Sequence, residues 1–182
     1  LAANKSPNKV FGMAGILDTG RYKAFIADAL EVSPNDIHAM LMGGHGDTMV
    51  PLPRYTSVSG IPVTELLNQE EIEKIVERTR KGGGELVNLM GTSAWYAPGA
   101  AVGQMVEAIV DDQNRIFPVC AYLNGEYGLK DIYLGVPVKL GRSGVAEVIE
   151  ISLNTDERKL LTTSAESVRK VMKVLDDLKL FD

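Results

Sequence analysis

The spacing of apolar positions predicts a helix and then a buried strand in the first part of the chain. Over residues 19–31 apolar side chains recur at three- and four-residue steps, which is typical of an amphipathic helix, and Asp18 stands where a capping residue is expected. The short apolar stretch 37–42 indicates a buried strand. It leads directly into the glycine-rich segment 43–47, which we therefore expect to be a loop at the end of that strand.

The middle of the chain predicts mainly helices, with one ambiguous glycine run. Its predicted elements are a strand over 54–59, a helical turn over 64–67 and helices over 70–80, 85–90 and 96–110. The triple glycine 82–84 costs a helix roughly 1 kcal/mol per residue relative to alanine. It therefore marks either a break in the helix or a close approach of the backbone to another element, and the sequence leaves both possibilities open.

The last part of the chain is richer in β-branched and aromatic residues, which favour strands. The predicted strands cover 117–122, 132–140 and 145–153. Because turn-forming segments at 124–128 and 141–144 separate them, we expect the strands to form an antiparallel meander.

A final helix follows the meander, and either Asn154 or Thr155 can cap it. Its expected apolar face consists of Leu161, Val168, Val171, Met172, Leu175 and Leu178. This face should pack on the sheet. We therefore predict one α+β domain over residues 1–182, in which helices cover an antiparallel or mixed sheet.

The composition of the chain argues against nucleic-acid and membrane partners. The chain has a formal net charge of -5, and its lysines and arginines are scattered among acids, so we expect no nucleic-acid partner. No apolar run approaches the ~20 residues that a membrane span needs, so we expect no membrane partner.

The single cysteine, Cys120, cannot form an internal disulfide, which fits a cytoplasmic protein with an inert thiol. Because the chain begins with Leu1 and lacks a signal-peptide pattern, we expect it to be truncated or processed.

Three side chains form the most informative candidate site: Asp18, Arg21 and His45. A carboxylate, a guanidinium and an imidazole can together handle a small carboxylic acid that carries a hydroxyl group. Asp18 and Arg21 are three residues apart at a helix start and leave the same face, while glycines can bend the His45 loop close to them. Singly, Asp18 has an ordinary interpretation as a helix cap and His45 as a hydrogen-bonded loop residue. The three residues together with the segments that flank them predict a catalytic site.

The segments around these residues resemble the lactate/malate dehydrogenase family. Segment 16–22, with the sequence ILDTGRY, matches its LD-x-x-R element, and segment 43–47, with the sequence GGHGD, matches its histidine loop. The likeness continues through 49–52, 59–63, 96–98 and 135–137 and covers essentially the whole chain. The resemblance implies the C-terminal, substrate-binding domain of an NAD-dependent enzyme that acts on a small 2-hydroxy acid.

By the same resemblance, each of the three residues has a role. His45 is the general base that takes the proton from the substrate hydroxyl as hydride leaves for nicotinamide. Asp18 orients His45 and fixes its tautomer, and Arg21 binds the substrate carboxylate in a bidentate manner. The resemblance leaves the cofactor-binding residues of this chain unknown, and we expect no metal ligand.

By the same resemblance, the sequence around His45 and over residues 50–54 favours malate and oxaloacetate as the substrate pair, with lactate as the alternative. The family's G-x-G-x-x-G turn, which holds the pyrophosphate, has no counterpart in this sequence, so the missing Rossmann domain is an expected partner. The isolated chain should therefore neither bind NAD tightly nor turn over substrate.

Family members usually form homodimers or homotetramers. Two less favoured interpretations are an NAD-requiring glycosidase and a non-catalytic interaction module.

Overall fold

The first helix forms where the apolar periodicity predicts one, although it begins earlier. The computed structural model describes residues 5–178. Helix α1 runs over Gly15–Leu30, and Ala14 occupies its N-cap without a side-chain hydrogen bond. The expectation that Asp18 caps this helix is wrong, because Asp18 lies inside the first turn with its side chain buried. A carboxylate in the first turn still complements the positive end of the helix dipole.

The stretch predicted as one strand over 37–42 forms two short strands in different sheets. The strands in this part are β1 (Ile37–His38), β2 (Leu41–Gly43), β3 (Met49–Pro51), β4 (Ser57–Val58) and β5 (Ile61–Pro62). Strand β1 pairs with β4, whereas β2 pairs with β3, both antiparallel. The predicted strand over 54–59 is also wrong at its start, because Pro53–Tyr55 form a 3-10 turn ahead of β4.

Helix α2 covers Val63–Leu66, α3 covers Gln69–Met90 and α4 covers Tyr96–Val110. Helix α3 begins with a capping box between Asn68 and Glu71. It continues through Gly82, Gly83 and Gly84 without interruption, so the predicted helical segments 70–80 and 85–90 belong to one helix. Of the two possibilities left open for the triple glycine, close approach of the backbone is the correct one, since α3 packs along α1.

The meander forms as predicted from β6 (Arg115–Asn124), β7 (Lys130–Gly141) and β8 (Gly144–Val148). Strand β7 pairs with β6, β8 and, through Gly135 and Gly43, with β2. The result is a five-stranded antiparallel sheet in the order β3-β2-β7-β6, with β8 also against β7. The predicted strand over 145–153 is too long, because regular pairing ends at Val148.

Helix α5 covers Thr155–Asp177, and Asn154 is its N-cap, with a capping box to Glu157. The expected apolar face is only partly correct. Leu161, Val168 and Met172 pack against the main core, whereas Val171, Leu175 and Leu178 are exposed. The first half of α5 is therefore the part that covers the sheet.

Two groups of buried apolar side chains flank α1. The larger lies between the five-stranded sheet and helices α4 and α5, and it includes Ile16. The smaller lies between α1, α3 and the short strands, and it includes Tyr22 and Ile26. The predicted α+β class, with an antiparallel sheet packed by helices, is confirmed. Among the helices described, none is long and apolar enough to span a bilayer.

Candidate active site

Helix α1 places a buried carboxylate between two basic side chains. The side chain of Asp18 is 1% exposed, and its Oδ2 atom lies 2.8 Å from Nδ1 of His45. Its Oδ1 atom accepts a longer hydrogen bond, 3.4 Å, from Nη1 of Arg21. The backbone N–H of Gly46 donates to Oδ2 over 3.5 Å. The buried charge is therefore paired and hydrogen-bonded, as buried carboxylates require.

The Asp18 contact determines how His45 presents its ring. A carboxylate oxygen accepts hydrogen bonds, so Nδ1 is the nitrogen that carries the proton in this contact. The other nitrogen, Nε2, is then the one available to take up a proton. The His45 side chain is 58% exposed, so this nitrogen is accessible to a small molecule. This contact is the one that the predicted orienting role of Asp18 requires.

Glycines give the His45 loop its conformation. Gly43 and Gly46 have φ angles of 80° and 67°, which side chains rarely adopt. A Cβ atom at Gly43 would also lie 2.8 Å from the carbonyl oxygen of Thr48. The loop therefore turns back immediately after β2 and holds His45 above the first turn of α1.

Arg21 lies between α1 and the glycines of α3, with 12% of its side chain exposed. A Cβ atom at Gly82 would be 3.2 Å from Cδ of Arg21, and one at Gly83 would be 3.6 Å from its Nη2. Within residues 5–178 the buried Nε atom of Arg21 has no hydrogen-bond partner. Nε therefore faces the protein interior, and the terminal nitrogens of the guanidinium are the donors that a planar, charged acceptor such as a carboxylate would meet.

The structure thus brings all three predicted residues together. Sequence reasoning missed two other contributions to the site. The glycines of α3 leave the space that Arg21 occupies, and their unusual run was the available signal. Ser164 of α5 contacts the backbone of the His45 loop, and no sequence pattern pointed to it.

Two other features bear on alternative chemistry. Cys120 is partly buried in β6, and burial raises the pKa of its thiol, which disfavours a reactive thiolate. Among the residues described, no group of three or more His, Cys, Asp or Glu side chains is placed to hold a metal ion.

Comparison with protein families gives a match to the lactate/malate dehydrogenase, alpha/beta C-terminal domain over residues 16–178. The chain is 63% identical over 171 residues to malate dehydrogenase of Cytophaga hutchinsonii, which covers 94% of this chain and 55% of that protein. It is 62% identical over 172 residues to malate dehydrogenase of Salinibacter ruber, which covers 94% of this chain and 54% of that protein. The chain therefore spans about half the length of these relatives.

Solved structures show the same similarity. The malate dehydrogenase of Salinibacter ruber matches with a TM-score of 0.95 and 59% identity, over 97% of this chain and 58% of that one. The Plasmodium falciparum malate dehydrogenase in complex with NADH matches with a TM-score of 0.93 and 40% identity, over 97% and 60%. A lactate dehydrogenase of Eimeria maxima with NADH and oxamate matches with a TM-score of 0.92 and 42% identity, over 97% and 57%.

Proposed function

This chain belongs to the lactate/malate dehydrogenase family, and we propose that it supplies the catalytic half of an NAD-dependent malate dehydrogenase. The reaction is reversible hydride transfer between (S)-malate and NAD+, which gives oxaloacetate and NADH. The observation that carries the proposal is the contact between buried Asp18 and exposed His45, beside the largely buried guanidinium of Arg21. Relatives that are 62–63% identical are named malate dehydrogenases, which supports malate as the substrate.

In the proposed mechanism His45 transfers the proton, Asp18 orients His45 and Arg21 binds the substrate. Nε2 of His45 takes the proton from the hydroxyl of malate, and in the reverse direction it returns that proton to the carbonyl oxygen of oxaloacetate. Asp18 keeps the proton of the neutral ring on Nδ1 and stabilises the imidazolium that forms. Arg21 binds the carboxylate next to the reacting carbon. When bound, NAD supplies the acceptor for the hydride that leaves this carbon.

The residues of this chain fit only part of the cofactor. The His45 side chain is 58% exposed, so a substrate and the nicotinamide that would supply the hydride acceptor would reach it from the solvent side. The sequence contains no G-x-G-x-x-G turn that would hold the pyrophosphate. We therefore propose that NAD binds mainly through a Rossmann domain such as the one expected in the remaining half of the longer relatives. Calorimetry of the 182-residue chain with NAD should show no stoichiometric binding, and stoichiometric binding would contradict this division of roles.

Helix α4 supports a further proposal about assembly. Its inner face contributes Met105 and Ala108 to the core, while Val102, Val106 and Val110 on its outer face are exposed. We propose that residues 1–182 form one domain of a cytoplasmic homodimer or homotetramer, in which this outer face is covered. Sedimentation of the complete enzyme at several concentrations tests the assembly, and a monomer at every concentration would contradict it.

The test of the activity is NADH oxidation by an enzyme in which this chain is joined to its nucleotide-binding half. Oxaloacetate and pyruvate are offered separately at equal concentration. Preference for oxaloacetate is the expected result. Preference for pyruvate would instead identify an L-lactate dehydrogenase. The structural similarity to the lactate dehydrogenase of Eimeria maxima supports this alternative. Oxidation with neither substrate would favour the glycosidase or interaction-module interpretation.

A further inference from the structure

Helix α5 contacts the loop that carries His45. The backbone N–H of Gly44 donates a 2.8 Å hydrogen bond to Oγ of Ser164, although the two residues are 120 positions apart. Ser164 is 1% exposed. On the other side of His45, the N–H of Gly46 donates to Asp18. Side chains of two different helices therefore hold the backbone on both sides of His45.

The space around this contact leaves little room for the loop to move. A Cβ atom at Gly43 would lie 2.8 Å from Oγ of Ser164, and one at Gly44 would overlap Oγ1 of Thr48. These distances show that the loop backbone packs directly against the serine hydroxyl. A loop without side chains at these two positions is what allows the approach.

Ser164 differs from two other hydroxyl residues of the same helix, Thr162 and Ser167. The hydroxyls of Thr162 and Ser167 donate to carbonyl oxygens four residues earlier in α5, which is the common arrangement in a helix. Ser164, in contrast, accepts a hydrogen bond from a separate loop. Its contact therefore contributes to tertiary structure, whereas those of Thr162 and Ser167 remain within the helix.

The helix that carries Ser164 is itself well anchored. Asn154 and Glu157 form a capping box at its start, and Nη2 of Arg54 lies 2.7 Å from Oε2 of Glu157. Leu161 and Ala165, on either side of Ser164, are buried in the main core. An acceptor on such a helix has a fixed position, which is what a positioning residue requires.

We propose that Ser164 is a positioning residue that sets the location of His45 by accepting the hydrogen bond from Gly44. This inference rests on the proposed function, because it takes His45 as the general base. Without Oγ of Ser164, the part-buried N–H of Gly44 loses its partner, and the Gly43–Gly44 peptide gains the space in which to rotate. The imidazole then moves away from Asp18 and from the substrate hydroxyl.

The test compares Ser164→Ala with Ser167→Ala in the complete enzyme. Both variants lose one hydroxyl from α5, but only the first loses the contact with the loop. A displacement of about 1 Å at a reacting group can cost on the order of 100-fold in rate. We therefore expect kcat with oxaloacetate to fall at least about tenfold in Ser164→Ala, with KM changed less than about threefold, because Arg21 is not disturbed. A kcat within about twofold of the Ser167→Ala control would overturn the proposal.

A second measurement separates this inference from the proposed function. Hydrogen exchange followed by mass spectrometry, on a peptide that covers 43–46, should be faster in Ser164→Ala than in the parent enzyme and unchanged in Ser167→Ala. If the parent enzyme reduces neither oxaloacetate nor pyruvate, the proposed function fails, but this measurement still tests the hydrogen bond. Unchanged exchange would show that Ser164 does not hold the loop, and faster exchange with unchanged kcat would show that the contact does not position His45.

If Ser164→Ala does not fold, Ser164→Cys replaces it in both measurements. Cysteine keeps nearly the same shape, but its sulfur is a weak acceptor. The expected loss of kcat and faster exchange are the same as for the alanine variant. A cysteine variant that exchanges and turns over like the parent enzyme would overturn the proposal.

Discussion

Replacing Gly82 by alanine should weaken substrate binding, whereas the same change two residues later should not. A Cβ atom at Gly82 would lie 3.2 Å from Cδ and 3.7 Å from Nε of Arg21. Carbon atoms pack best at about 3.5–4.0 Å, so the Arg21 side chain must shift by a few tenths of an ångström. At Gly84 a Cβ atom would meet nothing within 4 Å. Two glycines of one helix, Gly82 and Gly84, thus provide a test and its control.

The expected magnitude follows from two opposing effects. Each replacement of a helical glycine by alanine favours the folded helix by up to about 1 kcal/mol. At Gly82 the displaced guanidinium also loses part of its contact with the substrate carboxylate. A hydrogen bond to a charged group contributes about 1.5–3 kcal/mol, so losing about 1 kcal/mol of it raises KM about fivefold. Gly83→Ala should be intermediate, because its Cβ atom would lie at an ordinary contact distance of 3.6 Å from Nη2 of Arg21.

The assay measures KM for oxaloacetate and the thermal unfolding midpoint of the three alanine variants in the complete enzyme. Gly84→Ala should raise the midpoint and leave KM unchanged. Gly82→Ala should raise KM about fivefold with a smaller loss of kcat, because the contact is made in both ground and transition states. Equal KM values for Gly82→Ala and Gly84→Ala would refute the idea that the glycines of α3 make room for Arg21.

His45→Asn should lower kcat at least about 100-fold, as expected for a general acid–base group, and turnover close to the parent value would remove His45 from the mechanism. Asp18→Asn should also lower kcat at least about tenfold, because an amide does not stabilise the imidazolium; an unchanged kcat would contradict the orienting role. Asn154→Ala should reduce the free energy of unfolding by about 1 kcal/mol through loss of the cap, and an unshifted unfolding midpoint would contradict this. The hydrogen bond from Arg54 holds the pKa of the Glu157 carboxyl below its usual range, so this pair contributes stability above about pH 4.3 that is lost as the pH falls through the lowered value. The difference in Tm between the parent and Glu157→Gln should therefore be largest near neutral pH and shrink below about pH 4, and a difference independent of pH would contradict the assignment.

The predictable part of the site was the part encoded locally. Asp18 and Arg21 are three residues apart on one helix, and His45 lies in a glycine loop directly after a strand, so short segments contained all three signals. The contact between Ser164 and Gly44 depends on how α5 crosses the sheet, and no local pattern encodes a pairing over 120 residues. The role of the α3 glycines was predictable only in part. Their cost to a helix is evident from the sequence, but the side chain that fills the space beside them, Arg21, comes from α1.

The errors in the predicted strands also arise because local sequence does not specify which strands pair. A continuous apolar run predicts burial, but it does not say which sheet buries each residue, so the change of sheets between His38 and Leu41 was missed. At the other end, residues 149–153 alternate apolar and polar side chains but lie beyond the regular pairing of β8. The N–H of Ile149 still reaches the carbonyl of Pro137, whereas the N–H of Ile151 donates to the hydroxyl of Tyr127 instead. β-Branched composition favours an extended backbone and does not determine its partner.

The geometry of the site also indicates where substrate discrimination must arise. Arg21 is the permanent cation of the predicted set, and although its Nη1 atom also contacts Asp18, it is the residue of that set that can bind an acid. Lactate carries one carboxylate and malate carries two, so Arg21 can bind either substrate by the carboxylate that the two share. A second carboxylate needs its own donor or cation, because leaving it desolvated and unpaired is costly. Since the exposed side of His45 is the open side of the site, we expect that donor to come from the half of the enzyme that covers it.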